Sequence, residues 1–382
     1  MKTVIERLGE LQLQVSLISY GRGGSSYATY RSDTDPTSPE DRLRLAGAVA
    51  KATGRCRKLS LHTPGDVRTE EDATKISGMI QEQGLEAAGF YPDLFVARKG
   101  GVLNHRLMYG TLCSPHTDVR VASINFAIRS LELMRAMGCR QAILWIPDGI
   151  DSPGEKNLTD MLDRILNGLR QIGLNIRKSE NLMLEFRPWD PSFCSMAVSD
   201  WGTAAWLARE TDSSFKVLLD TGALLPGASL DSIVVAMLHQ KVLGMVRLSD
   251  NRLSQGVLPA GTLDPASLFR FFLNLLLAEK AGLCSIPEMV FEVGVNTRVG
   301  EPGEAVVRAA HNVESAFASA MLINPDELAE LQGKPDPALA EKLLADAVLT
   351  DVRPILKAWR EEKGLPTEPL QALRASRVLS NL

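Results

Sequence analysis

The chain has 382 residues, 42 Lys+Arg against 46 Asp+Glu for a formal net charge of −4, and is 45% hydrophobic and 23% charged. Such proportions exclude a disordered, collagen-like or supercharged polypeptide, and the interspersed charges give no footprint for nucleic acid or an anionic membrane surface. No run of apolar residues is long enough to span a bilayer, Met1–Gly9 lacks the pattern of a signal peptide, and the five cysteines are scattered without metal-binding spacing. A cytoplasmic protein with reduced thiols is expected.

In chain order the sequence alternates short, dense apolar runs with longer amphipathic segments. The runs are Gln12–Ser19, Lys58–His62, Ala87–Tyr91, Ala142–Ile146, Leu182–Phe186, Phe215–Asp220, Leu243–Leu248 and Met289–Val293. Each is too short for a typical helix, and most are rich in residues suited to strands buried on both faces. A helix is predicted from Pro39, where Ser38 supplies a cap and Glu40 and Asp41 sit at the positive end of the dipole. Further helices are expected over roughly 70–83, 119–137, 156–172, 201–210, 230–241, 265–281 and 304–322. Eight strand–helix units predict an α/β fold, a (β/α)8 TIM barrel over residues 1–323. Residues 324–382, broken by Pro335, Pro337, Pro354 and Pro366, read as a C-terminal helical arm too poor in apolar residues to form a deep core of its own. It is expected to pack on the barrel or on a neighbouring subunit.

Sites in such barrels lie at the C-terminal strand ends, which here carry His62, Trp145, Glu185 with Arg187, Asp220, Arg247 with Asp250, and Glu292. Tyr91, Asp148 and Asn296 are also placed near the mouth. Carboxylates set into LMLEF, KVLLD and MVFEV are costly to bury unless a cation or several donors face them. Glu185, Asp220 and Glu292 therefore suit either a hard divalent ion or an ion-pair network closing the barrel top. His62 is the one histidine at a strand end; His105, His116, His239 and His311 fall in loops or helices. Trp145 reads equally as core filling or as a wall for a sugar's apolar face. Gly21-Arg22-Gly23-Gly24 lacks the ending of a phosphate loop and reads as a rim loop.

The stretches Leu184–Thr203, Val217–Gly222, Asp264–Arg270 and Thr350–Pro354, with SLHTPGD and LWIPDG before them, resemble L-rhamnose isomerase-like sugar isomerases of the xylose isomerase-like barrel superfamily. The resemblance spans nearly the whole chain. It implies a homotetramer that interconverts aldoses and ketoses with divalent manganese or magnesium. It also implies one metal held by a Glu, an Asp, a His and a second Asp at the ends of strands five to eight. Glu185 and Asp220 fall on the first two ligands and Glu292 on the last, but Arg247 stands where the family has histidine. The second metal's ligand positions are filled by Ala223, Gln255 and Val257. His62 and Trp145 match substrate-contacting residues, and Arg187 replaces a substrate-contacting lysine.

An arginine cannot ligate a metal, so the sequence suggests that Arg247 pairs with the carboxylates in the ion's place; the other arrangement turns it toward the loops and leaves three carboxylates for one Mn²⁺ or Mg²⁺. Three functions follow. One is an aldose–ketose isomerase with an altered, metal-depleted site, in which Glu185 or Glu292 acts as base and Arg187 and Arg247 stabilise the enediolate. The others are a non-catalytic sugar-binding homologue and a lyase or epimerase acting on an acidic sugar. The partner in each case is a small carbohydrate.

Overall fold

The computed structural model describes residues 2–21, 35–94, 106–190, 194–250, 258–291, 301–334 and 337–381. Eight strands close into a parallel barrel: β1 (Leu13–Ser16), β2 (Lys58–Thr63), β3 (Glu86–Pro92), β4 (Gln141–Trp145), β5 (Asn181–Glu185), β6 (Phe215–Asp220), β7 (Leu243–Leu248) and β8 (Glu288–Phe291). Each pairs with its sequence neighbours, and β8 returns to β1 through Leu13↔Met289. The expected (β/α)8 barrel is therefore the observed fold. The first apolar run stops early as a strand, because Leu17–Tyr20 turns into a 3-10 helix.

The intervening helices are α2 (Pro39–Thr53), α3 (Glu70–Glu82), α4 (Thr117–Ala136), α5 (Leu158–Gly173), α6 (Trp201–Thr211), α7 (Leu230–His239), α8 (Pro265–Lys280) and α9 (Glu304–Ala320), after a short leading helix α1 (Lys2–Leu8). Local chemistry starts them. Ser38 and Asp41 form a reciprocal capping box ahead of α2, and Thr69 and Asp72 do the same for α3. Asn157, Asp200, Ser229 and Asp264 cap α5 to α8 through their side chains. Their apolar faces and the outward strand residues make one continuous core.

Inside the barrel lies a separate cluster of Tyr91, Ile143, Met183, Leu218, Met245 and Val290. Side chains alternate along a strand, so the residue two positions on shares the inward face. For four of these strands that residue is Trp145, Glu185, Asp220 or Arg247. The apolar plug thus forms the floor on which the polar strand ends rest.

The tail forms α10 (Pro325–Gln332), α11 (Ala338–Leu349), α12 (Arg353–Glu362) and α13 (Pro369–Ala375). It lies on its own barrel, where α11, α12 and α13 touch α9, α12 also meets α1, and α13 meets α2. The attachment is ionic as well as apolar. Glu314, fully buried on α9, accepts from Arg55 Nε at 2.6 Å and from Arg360 Nη2 at 2.7 Å, and Trp359 stacks beneath the Arg55 guanidinium at 4.3 Å. No helix among the described residues is long and apolar enough to cross a membrane.

Candidate functional site

The strand ends converge around one buried guanidinium. Arg247, at 1% exposure, grips both oxygens of Glu185, at 2.5 Å from Nη1 and 2.9 Å from Nη2. Nη1 also stands 3.6 Å from Asp220 Oδ2, and Nη2 donates to the Tyr91 hydroxyl at 2.8 Å. Register explains the meeting: Asp220 lies directly across from Arg247 on adjacent strands, and Trp145 across from Glu185. Arg247 is enclosed by these partners, so the arrangement in which it turns toward the loops does not occur.

A second guanidinium completes the group. Arg187, just past β5, donates from Nε to Glu185 Oε1 at 2.9 Å, and its charge rests over the Trp145 ring at 4.9 Å. Its side chain keeps 35% of its exposure, which puts this cation at the edge between the buried network and the mouth. On the opposite side His62 stacks flat on Tyr91, ring centroids 4.4 Å apart, while its Nε2 lies 3.1 Å from Ser16 Oγ. Asp66 fixes the histidine's backbone by accepting from its N–H at 2.8 Å.

These groups line a cavity of about 50 Å³ bounded by His62, Tyr91, Asp93, Trp145, Glu185, Arg187 and Arg247. Of the residues singled out in the sequence, His62, Trp145, Glu185, Arg187 and Arg247 face one chamber. Trp145 is half-buried and takes the Arg187 charge on its ring, so it is not simple core filling. Asp220 lies behind Arg247, where Ser249 Oγ donates to its Oδ1 at 2.6 Å and the Gly222 N–H at 3.0 Å. Glu292 and Asn296 lie outside the described residues, as do Gln255, Val257, His105 and most of the first glycine loop.

Two expected mouth residues are used elsewhere. Asp148, fully buried, accepts from Thr111 N, Thr111 Oγ1 and Cys113 N and so pins the turn before α4. Asp250 accepts from the Leu263 and Asp264 N–H groups, the latter at 3.0 Å, and lines a different cavity with Thr221, Ser249 and Ser267. In both cases backbone donors at a loop satisfy the carboxylate. Tyr91 was placed only near the mouth from the sequence, and its link to Arg247 was not foreseen. The same two-residue alternation that marks Glu185 also marks Tyr91, two positions beyond Gly89.

The environments of the two carboxylates pull apart. Burial opposes charge on Glu185, but Arg247 and Arg187 overcome it and hold the carboxyl down at about 2. Burial dominates at Asp220 and raises its carboxyl above the ordinary value, despite Arg247 and the Ser249 hydrogen bond, with the Glu185 charge adding to the rise.

The described residues do not fit a divalent ion. Both Glu185 oxygens are occupied by guanidinium hydrogens, one Asp220 oxygen is taken by Ser249 and Gly222, and a permanent positive charge sits between the two carboxylates. Among the described residues no group of three His, Cys, Asp or Glu is placed to hold a metal.

Comparison with known proteins agrees with the barrel. Over 357 residues, 93% of this chain, it is 28% identical to a "Probable sugar isomerase" of Rhizobium meliloti (strain 1021), covering 82% of that protein. A protein of the same description from Mesorhizobium japonicum is 26% identical over 93% of this chain and 81% of its own length. Among solved structures, L-ribulose 3-epimerase shares the fold at a TM-score of 0.58 and 15% identity, over 85% of this chain and 100% of that one. D-psicose 3-epimerase from Clostridium cellulolyticum H10 does so at 0.54 and 13%, over 82% and 99%. The family model of the xylose isomerase-like TIM barrel matches residues 9–276, well over half of the sequence, and the chain belongs to that family.

Proposed function

We propose that this protein is a sugar isomerase of the L-rhamnose isomerase type that works with an altered, metal-depleted site, its substrate a small aldose or ketose. The observation that carries the reading is the pocket in which an aromatic wall, a histidine and two arginines meet at the C-terminal end of the barrel. The names of the two rhizobial relatives support the reaction class. As the reading has it, Trp145 covers the apolar face of the sugar and His62 hydrogen-bonds a ring or anomeric oxygen, assisting ring opening. Arg187 and Arg247 place N–H donors where an enediolate oxygen develops charge. A carboxyl held near 2 is a weak base, so Glu185 serves here as an anchor for the arginines rather than as the proton acceptor. Glu292 is the carboxylate this reading retains for moving the proton between C1 and C2.

A second reading, an epimerase or lyase for an acidic sugar, is favoured by Arg187 alone. Its part-exposed guanidinium, stacked on Trp145, suits a substrate carboxylate. A third, a sugar-binding homologue without chemistry, keeps the same pocket. Homotetramer formation is proposed from the resemblance only.

Proton NMR of chelator-treated protein with L-rhamnose and a panel of aldoses, ketoses and aldonates in D₂O separates the three. Aldose–ketose conversion with deuterium appearing at C1 or C2, reduced roughly 100-fold or more in Arg187→Ala, is the expected result. Turnover confined to acid sugars selects the second reading, and calorimetric binding without turnover the third. Neither binding nor turnover of any of them would remove the proposal.

A further inference from the structure

We infer that Arg247 is a built-in cation that closes this site to divalent metal. The inference deepens the metal-depleted part of the proposed function and rests on it, since it concerns which positive charge the carboxylates hold and not what they act on. Its basis is geometric. A divalent ion bound to Glu185 and Asp220 needs their oxygens within about 2.0–2.6 Å of one point. In the structure that region is filled by the Nη1 and Nη2 atoms of Arg247, bonded to both Glu185 oxygens and 3.6 Å from Asp220.

The guanidinium is held by both Glu185 oxygens and by Tyr91. It is 1% exposed, tied to the Tyr91 hydroxyl at 2.8 Å, and lies 5.5 Å from the centroid of that ring. Arg187 adds another fixed positive charge on the same Glu185 oxygen. A metal would have to displace one arginine and tolerate the other, whereas the Arg247 fork and the Arg187 Nε–H already bond Glu185, and Ser249 and Gly222 bond Asp220, with no ion at all. The donors presented to the chamber are then N–H groups and a phenol hydroxyl.

Removing the guanidinium should reopen the seat. Purified full-length protein is stripped by chelator, dialysed and titrated with Mn²⁺, and free ion is counted by electron paramagnetic resonance. Wild type should leave Mn²⁺ free up to about 1 mM, whereas Arg247→Ala and Arg247→His should each take up about one equivalent, roughly tenfold or more tighter than wild type. Adding Glu185→Gln should abolish that uptake. In Arg247→Ala, millimolar guanidinium should raise the melting temperature and displace Mn²⁺, because the two cations compete for one position.

An equivalent of Mn²⁺ bound by wild type and lost in Glu185→Gln would overturn the inference. So would folded variants, judged by circular dichroism, that bind Mn²⁺ no better than wild type. If neither variant folds, the wild-type titration decides by itself: uptake lost in Glu185→Gln refutes the inference, and no uptake supports it. No sugar enters these measurements, so their failure is separate from failure of the proposed reaction.

Discussion

At the scale of single residues, two carboxylates one strand apart differ in what they ask of the protein. Glu185 accepts from two guanidiniums and stays ionised down to about 2, below its ordinary value, so its folded-state charge adds stability above the unfolded titration range that is lost as pH falls toward 2. Asp220 is raised by burial, so acidification relieves the folded state of a buried charge and works in the opposite direction. Urea denaturation of wild type and Glu185→Gln between about pH 5 and pH 2 should show wild type losing stability more steeply. Asp220→Asn should fall more steeply than wild type, since it lacks the compensating gain; parallel curves for all three proteins would contradict this assignment. The need of these carboxylates for a cation was legible in the sequence, because charged groups inside apolar runs must be compensated. That Arg247 would bind Glu185 with both nitrogens while only approaching Asp220 was not legible, because it depends on register and on the Tyr91 hydroxyl arriving from another strand.

At the scale of elements, the strands and barrel-layer helices were readable because each carries its own local signal. Apart from the first run, whose strand stops three residues early, and the last, whose end lies outside the described residues, the apolar runs, Ser38–Asp41 and Asp264–Pro265 mark boundaries within a residue or two of those observed. Loop carboxylates were harder to place, since an aspartate after a strand looks the same whether it faces a ligand or a neighbouring backbone. Asp148 is the instructive case. It sits just past β4, yet its carboxylate bonds to the turn at Thr111–Cys113, which leads into α4. Beside it Gly110 adopts φ +100, a conformation glycine reaches without strain, and a Cβ there would press on Cys113 and Asp148. Asp148→Ala strands two buried N–H groups and a hydroxyl, so it should cost about 1–3 kcal/mol in chemical denaturation. Amide exchange at residues 111–113 should rise with it. A variant as stable as wild type, with unchanged exchange there, would show that the turn holds itself.

At the scale of the whole molecule, the sequence conveyed that residues after Asn324 could not bury a core alone, and α1, α10 and α13 escaped notice because seven- or eight-residue helices carry too little periodicity to stand out. What joins that tail to the barrel is a network no local pattern announces. Its members are Arg55 before β2, Glu314 on α9 and Arg360 on α12, separated by up to 305 positions. Arg360 is 2% exposed, donates to Glu314 and to the Thr53 carbonyl at 3.1 Å, and so ties the end of α2 to the arm. Arg55 alone cannot replace it, because its Nε holds the other Glu314 oxygen while its Nη1 holds the Leu11 carbonyl at 3.0 Å, next to the first strand. Breaking a buried ionic triad by removing one member leaves uncompensated charge, which costs about 3–5 kcal/mol. Arg360→Ala should therefore lower stability by that amount, and limited proteolysis should release fragments cut between α9 and α12 faster than in wild type. Arg374→Ala breaks the Arg374–Glu304 pair at 2.6 Å through a largely exposed arginine and serves as the control, with a smaller expected loss. Equal losses in the two variants would mean that apolar packing of Leu356, Trp359 and Leu373, and not the charge clamp, holds the arm to the barrel.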